Sequence, residues 1–287
     1  MDEFKKRLIH LHHCRGVGWK TIFQILRNDP QLTSLYKGKP YPFLPIPSQE
    51  LLLQDLHSSV IPEQIRQYSN NHIHMITILD EQYPELLKES YEPPWVLYAK
   101  GDISLLSREV KLAVVGSRQP SDYGKNAIEA IFPKLIEKDV LIVSGLAAGI
   151  DAIAHRTAIK NKGTTIGVIA GGLFHIYPKE NKDLALMMMK ENLVLSEYPP
   201  HTTPSRWHFP MRNRIISGIS KGTFIVEARQ KSGSLITANC AVHEGREVFA
   251  LPGNIFSANS SGSNELIQQG AKLVQSAEDI LEELFSY

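Results

Sequence analysis

Three short turns carry the residue types that could handle an anion. They are Gly116-Ser117-Arg118, Ser144-Gly145-Leu146-Ala147-Ala148-Gly149 and Ala170-Gly171-Gly172. Glycine lets a backbone approach a ligand closely, and the first amides of a helix have no partner of their own, so such turns suit a phosphate or polyphosphate. Chain geometry alone also produces Gly-rich turns after strands, but three in succession, the first carrying Arg118, favour a ligand. A fourth small-residue stretch, Lys231-Ser232-Gly233-Ser234-Leu235-Ile236-Thr237-Ala238, opens another helix, and Lys179 lies where the loop from Gly171 to Asn181 gives way to one. From His201 to Lys231 six basic residues (Arg206, Arg212, Arg214, Lys221, Arg229, Lys231) face one acidic residue, Glu227, with Trp207 and Phe209 interleaved. Cations for phosphates and flat rings for bases are what a single nucleic-acid strand needs. The same composition would also describe a solvated face with two core aromatics.

Other chemistry-bearing groups read as structural. Asp151 and His155 are four apart on one helix, the spacing of an acid–base pair, yet an Asp in a first turn answers the helix dipole. His10, His12, His13 and Cys14 resemble a metal cluster only in a list, because neighbouring helix positions face apart. Phosphate-loop GxxxxGK[ST], GxSxG, HExxH and paired-cysteine zinc patterns do not occur, and the Gly116 turn lacks the later glycines of the dinucleotide fingerprint. No catalytic residue and no metal site is expected; the set suits holding a ligand better than cleaving one.

The elements that must position these turns follow from apolar patterning. Leu112–Val115, Val140–Val143, Thr164–Ile169 and Leu193–Ser196 are short apolar runs without alternation, and Ala127–Lys138 and Ile150–Lys160 between them have helical period. That is the pattern of parallel strands buried on both faces, whose following turns collect at one edge. Thr223–Val226 and Glu247–Leu251 continue the series, and Met75–Leu79 with Pro93–Tyr98 suggests an extra strand leaning on the sheet. The tail Ala277–Phe285 is an amphipathic acidic helix suited to capping the sheet or to a second subunit. Residues 1–70 read as small helices: apolar stripes flank Arg15-Gly16-Val17-Gly18, a packed helical hairpin or a helix-hairpin-helix or SAM-like module, followed by the Pro-rich, irregular Tyr41–Pro47 and by short helices over Glu50–Leu56 and Pro62–Tyr68. The expected fold is α/β: a Rossmann-like, mostly parallel sheet flanked by helices over residues 71–287, with a small N-terminal helical domain over 1–70.

Composition sets bounds on partners. The chain has 287 residues, 43% of them hydrophobic, and a formal net charge of +1, so contact with nucleic acid requires a local basic patch. Two cysteines without CxxC spacing point to a reduced, intracellular protein. With neither a signal-peptide core nor a run of roughly 20 apolar residues, a cytoplasmic location is expected.

Six blocks, in order, closely resemble the signatures of the DNA-processing protein A (DprA/Smf) family. They are Gly116–Arg118; Ser144–Asp151 with Ala154-His155; Tyr177-Pro178 with Asn181; Phe209–Gly218; Gly233–Ala238; and Gly262–Ile267, within a resemblance spanning roughly Met75 to Ala271. The resemblance implies an extended Rossmann-like domain that binds single-stranded DNA without cutting it. It further implies help in loading RecA recombinase during natural transformation, contact with single-stranded-DNA-binding protein, a homodimer, and no cofactor. Carried over residue by residue, it makes Arg118 and Lys179 basic members of the DNA pocket, with Ser117, Ser144, Gly145 and Asn181 lining it. Arg212, Asn213, Arg214 and Ser232, Gly233, Ser234 would complete the wall. Many relatives carry a winged-helix domain after the Rossmann part; none is expected before Tyr287. The alternative is a nucleotide-binding enzyme, a nucleoside monophosphate hydrolase of the lysine-decarboxylase-like group, whose Gly-Gly-x-Gly-Thr-x-x-Glu motif does not occur here.

Overall fold

The computed structural model describes residues 2–37, 41 and 43–286. Four helices come first: α1 (Glu3–His13), α2 (Trp19–Asn28), α3 (Ile46–His57) and α4 (Val60–Asn70). Asp2 caps α1 by accepting the Glu3 N–H at 2.7 Å. Helix α3 starts inside the segment expected to be irregular, because Pro47 falls in its first turn, where a missing N–H costs nothing; Pro42 of that segment lies outside the described residues. Strand β1 (His74–Thr77), the single-turn α5 (Glu85–Lys88) and β2 (Val96–Gly101) follow.

The α/β part then alternates: β3 (Lys111–Val115), α6 (Asp122–Glu137), β4 (Leu141–Ser144), α7 (Ile150–Lys160), β5 (Thr165–Ile169), α8 (Lys182–Glu191) and β6 (Leu193–Ser196). It continues with α9 (His208–Gly218), β7 (Gly222–Ile225), α10 (Gly233–His243), β8 (Glu247–Ala250), α11 (Ser261–Gln268), β9 (Lys272–Leu273) and α12 (Glu278–Leu284). Helix α6 begins five residues before the expected Ala127, since Ser121 caps it and Glu227 holds Ser121 in place. The two-residue β9 is too short to leave a pattern in the sequence.

The strands form one nine-stranded sheet in the order β1-β2-β6-β5-β4-β3-β7-β8-β9. From β6 through β9 all neighbours are parallel, while β1 and β2 add antiparallel at the edge, Tyr98 facing Ser196. Because successive strand residues face opposite sides, Leu112 and Val114 join α6, α7 and α12 in one hydrophobic layer, whereas Ala113 and Val115 join α9 and α10 in the other. A third cluster links α1–α4 to Val96, Tyr98, Val194 and α8, so the N-terminal helices share apolar packing with the sheet across residue 70. No helix among the described residues is long and apolar enough to cross a membrane.

Candidate nucleic-acid interface

Strand order reverses at β3: β4, β5 and β6 lie to one side in sequence order and β7, β8 and β9 to the other. Loops leaving β3 and β7 therefore diverge, and the crevice between them is where doubly wound sheets hold ligands. A cavity of about 790 Å³ opens there. Its near wall is the turn after β3, Gly116 to Gln119; α9 and its approach supply Arg206, Phe209, Arg212 and Asn213; the start of α10 supplies Ser232, Gly233 and Ser234. Ala147 and Asp151 form the floor.

Which backbone amides are free is decided by tertiary partners. In the turn after β4 two amides are taken: Asp151 Oδ2 accepts the Gly145 N–H at 3.0 Å, and Ile150 N donates to Ser117 O at 3.0 Å. Gly149 sits at φ +78°, and a Cβ there would lie 2.3 Å from Ser117 O, so only glycine permits this contact between the first two turns. Glu227 treats α6 in the same way, taking the N–H and Oγ–H of Ser121. The third turn is closed by packing, with Gly172 N donating to Thr202 O at 2.8 Å. Hence the turns do not leave all their amides to an anion: those of Gly145, Ile150 and Gly172 donate to the protein's own oxygens, and Glu227 takes the Ser121 N–H at the start of α6. At α10, by contrast, the Ser232 side chain makes no cap bond, and the N–H groups of Gly233 and Ser234 have no partner among the described residues. Both residues line the cavity.

Charge in the lining is four arginines, Arg118, Arg206, Arg212 and Arg229, against the single carboxylate of Asp151. Arg118 and Arg206 are exposed and without an ion pair among the described residues; Arg118 stands 5.9 Å over the Phe209 ring, which Tyr177 meets edge-on at 5.8 Å. Arg229 is steered by Asn259, whose Oδ1 accepts its Nε–H at 2.9 Å. Arg212 is different, being buried beneath the floor, where it donates to the carbonyls of Gly145 and Val168 and to Asn213 Oδ1. Burial pulls its guanidinium down to about 10, partly opposed by Asp151, so it remains cationic at neutral pH. Burial likewise pushes Asp151 above the usual carboxylate range, against the pull of Arg212. The charge of Arg212 thus acts through a low-dielectric floor, while the other three arginines are exposed to solvent.

Of the residues expected at the site, Ser117, Arg118, Arg212, Asn213, Ser232, Gly233 and Ser234 line the cavity. The other five do not. Ser144 is buried, its hydroxyl donating to Val114 O at 2.6 Å; Gly145 lies behind the Arg212 guanidinium, which approaches so closely that no side chain would fit. Asn181 is buried and donates to Leu146 O and Ala147 O, both at 3.0 Å, clamping the second turn from behind. Lys179 is exposed but outside the cavity. Arg214 points the opposite way from Arg212, because two positions along a helix turn about 200°, and it is buried in an ion pair with Glu197. Lys221 of the basic count sits at the far end of the sheet, bonded to Glu109 at 3.0 Å. Arg206 and Arg229 entered the sequence reading only as composition, and Phe209, Ile236 and Thr237 as members of the resembling blocks without a role of their own; Gln119 had no signal.

The remaining sequence candidates separate. No hydrogen bond joins Asp151 to His155, whose Nδ1 meets Thr165 Oγ1 at 2.6 Å and which burial holds near 3, too low for a proton shuttle at neutral pH. His10 turns to the Tyr36 hydroxyl, His12 to that of Tyr98 and His13 to that of Tyr68. No metal-binding cluster is present among the described residues.

Comparison with known proteins accords with this architecture. A family model described as DNA recombination-mediator protein A matches residues 74–285. The DNA processing protein DprA of Bacillus subtilis is 53% identical over 224 residues, covering 78% of this chain and 75% of that one. The Streptococcus pneumoniae protein is 45% identical over 249 residues, 82% of this chain and 88% of its own. A solved structure of the Streptococcus pneumoniae protein superposes with a TM-score of 0.86 at 38% identity, covering 99% of both chains. The Helicobacter pylori protein, whose structure was described for its single-stranded DNA binding mode, superposes at 0.67 with 30% identity over 75% of this chain and 97% of that one. From the match across the whole sheet, the chain belongs to the DNA recombination-mediator protein A family.

Proposed function

We propose that this protein binds single-stranded DNA in the cavity between β3 and β7 and presents it to RecA recombinase during natural transformation. The observation that carries the reading is the convergence, in one crevice, of three exposed arginines, two free α10 amides and the half-buried Phe209 ring with the exposed Tyr177 against it. Arginines and amides hold phosphates irrespective of sequence, and the rings offer faces to bases only when these are unpaired. The relatives' description as DNA-processing proteins and the Helicobacter pylori structure support the same ligand. The role is binding rather than catalysis: the one carboxylate in the lining, Asp151, is engaged by the Gly145 amide. RecA, single-stranded-DNA-binding protein and a second copy of the chain are the proposed partners, in the cytoplasm and without a cofactor.

The test is fluorescence anisotropy with a labelled oligonucleotide, single-stranded against duplex, for wild type and Arg118→Ala. Tighter binding of the single strand, weakened about tenfold by the substitution, is the expected result. Equal binding of both forms, or none at low salt, would sink the proposal. An assay for free base or ribose 5-phosphate released from nucleoside monophosphates separates it from hydrolysis.

A further inference from the structure

Beside the cavity, on its outer side, stands a tryptophan that nothing in the site so far uses. Trp207 is 63% exposed, immediately after the cavity residue Arg206 and two before Phe209, yet it does not line the cavity. Core packing does not account for it. Two other rings hold the indole from its edges: Tyr198 meets it at 85° and 6.0 Å between centroids, His208 at 78° and 4.0 Å. Those two are stacked on each other at 3.9 Å, and His208 Nδ1 lies 3.1 Å from Ala170 O at the end of the sheet. The result is a large flat ring, braced on a rigid support, with most of its surface facing solvent.

We infer that Trp207 is an outer stacking platform for a base of single-stranded DNA, taking a nucleotide that lies beyond those held in the cavity. The inference rests on the reading of the cavity as a DNA site. The occupant is a nucleic-acid strand because two cavity residues flank Trp207 in the chain, the exposed Arg206 directly before it and, two positions on, Phe209, over whose ring Arg118 stands at 5.9 Å. Cations and rings gathered in one stretch beside the cavity suit the alternation of phosphate and base along a strand. Bracing removes most of the rotamer freedom that stacking would otherwise cost.

The chain carries its own reporter. Of its three tryptophans, Trp19 and Trp95 stack on each other and each donates its indole N–H to a backbone carbonyl near α2, leaving Trp207 as the exposed one. The experiment is intrinsic tryptophan fluorescence of the whole protein titrated with oligothymidylates of increasing length, run beside anisotropy on the same oligonucleotides. The expected result is quenching by lengths that outrun the cavity, absence of quenching by a bound di- or trinucleotide, and loss of the signal in Trp207→Ala. That variant should bind the long oligonucleotide at least about fivefold more weakly, with Trp207→Phe recovering most of the loss. Long oligonucleotides that bind by anisotropy without quenching the indole would overturn this inference and leave the cavity reading intact. So would a Trp207→Ala loss equally large for the trinucleotide. If no oligonucleotide bound by either readout, both would fall.

Discussion

The exposed arginines of the cavity set a salt dependence that can be worked out in advance. A cation that neutralises one phosphate of a single strand contributes about −0.7 to the slope of log affinity against log salt. Arg118, Arg206 and Arg229 are exposed on the rim, whereas Arg212 is locked to carbonyls below it. Three contacts give a slope near −2, a loss of roughly 20-fold between 50 and 200 mM salt. Removing one rim arginine should make the slope shallower by about 0.7. Lys179→Ala and Lys221→Ala should leave it unchanged, since neither side chain reaches the cavity. Anisotropy with one oligonucleotide over a salt series reads wild type, Arg118→Ala, Lys179→Ala and Lys221→Ala together. A wild-type slope near zero, or a Lys179→Ala slope as shallow as that of Arg118→Ala, would refute the placement of charge argued here.

Two further predictions concern the frame around the cavity. Gly149→Ala should cost about 1–3 kcal/mol in urea unfolding, since it strains a left-handed position and collides with Ser117 O; DNA affinity should fall with it because that contact ties the floor to the Arg118 turn. Burial holds His12 near 3 and His13 near 4, below the ordinary 6.5, so the unfolded chain binds more protons than the folded one as pH falls through that window. Stability is therefore full above about 6.5 and declines toward pH 4, by up to about 1.4 kcal/mol per pH unit for each histidine. Urea melts at pH 7 and pH 5 measure the slope, which His12→Gln should flatten.

The fold was legible because buried parallel strands announce themselves. Leu112–Val115 and Leu193–Ser196 leave no alternation to misread, and Ile150–Lys160 keeps helical period from end to end. The site was legible in blocks but not in atoms. Arg212 and Arg214 are two letters apart and look alike in the chain; helix phase sends one under the cavity and the other to Glu197. Similarly, a Gly-rich turn does not reveal that a carboxylate six residues on will take its amide, as Asp151 takes that of Gly145. Arg206 and Arg229, separated by more than twenty residues, become neighbours across the crevice only through the sheet order that sets β7 beside β3.

That internal carboxylate bears on competition inside a cell rich in free nucleotides. In the turn that leads into α7, at the floor of the cavity, this chain has placed a carboxylate of its own, Asp151, on the Gly145 amide. A lone mononucleotide arriving there finds the Gly145 amide already taken and can engage only one or two of the rim arginines. A polymer bridges several of them at once, each further contact costing little once the first is made. Discrimination between strand and monomer can thus reside in the floor of the cavity, without any group that recognises chain length as such.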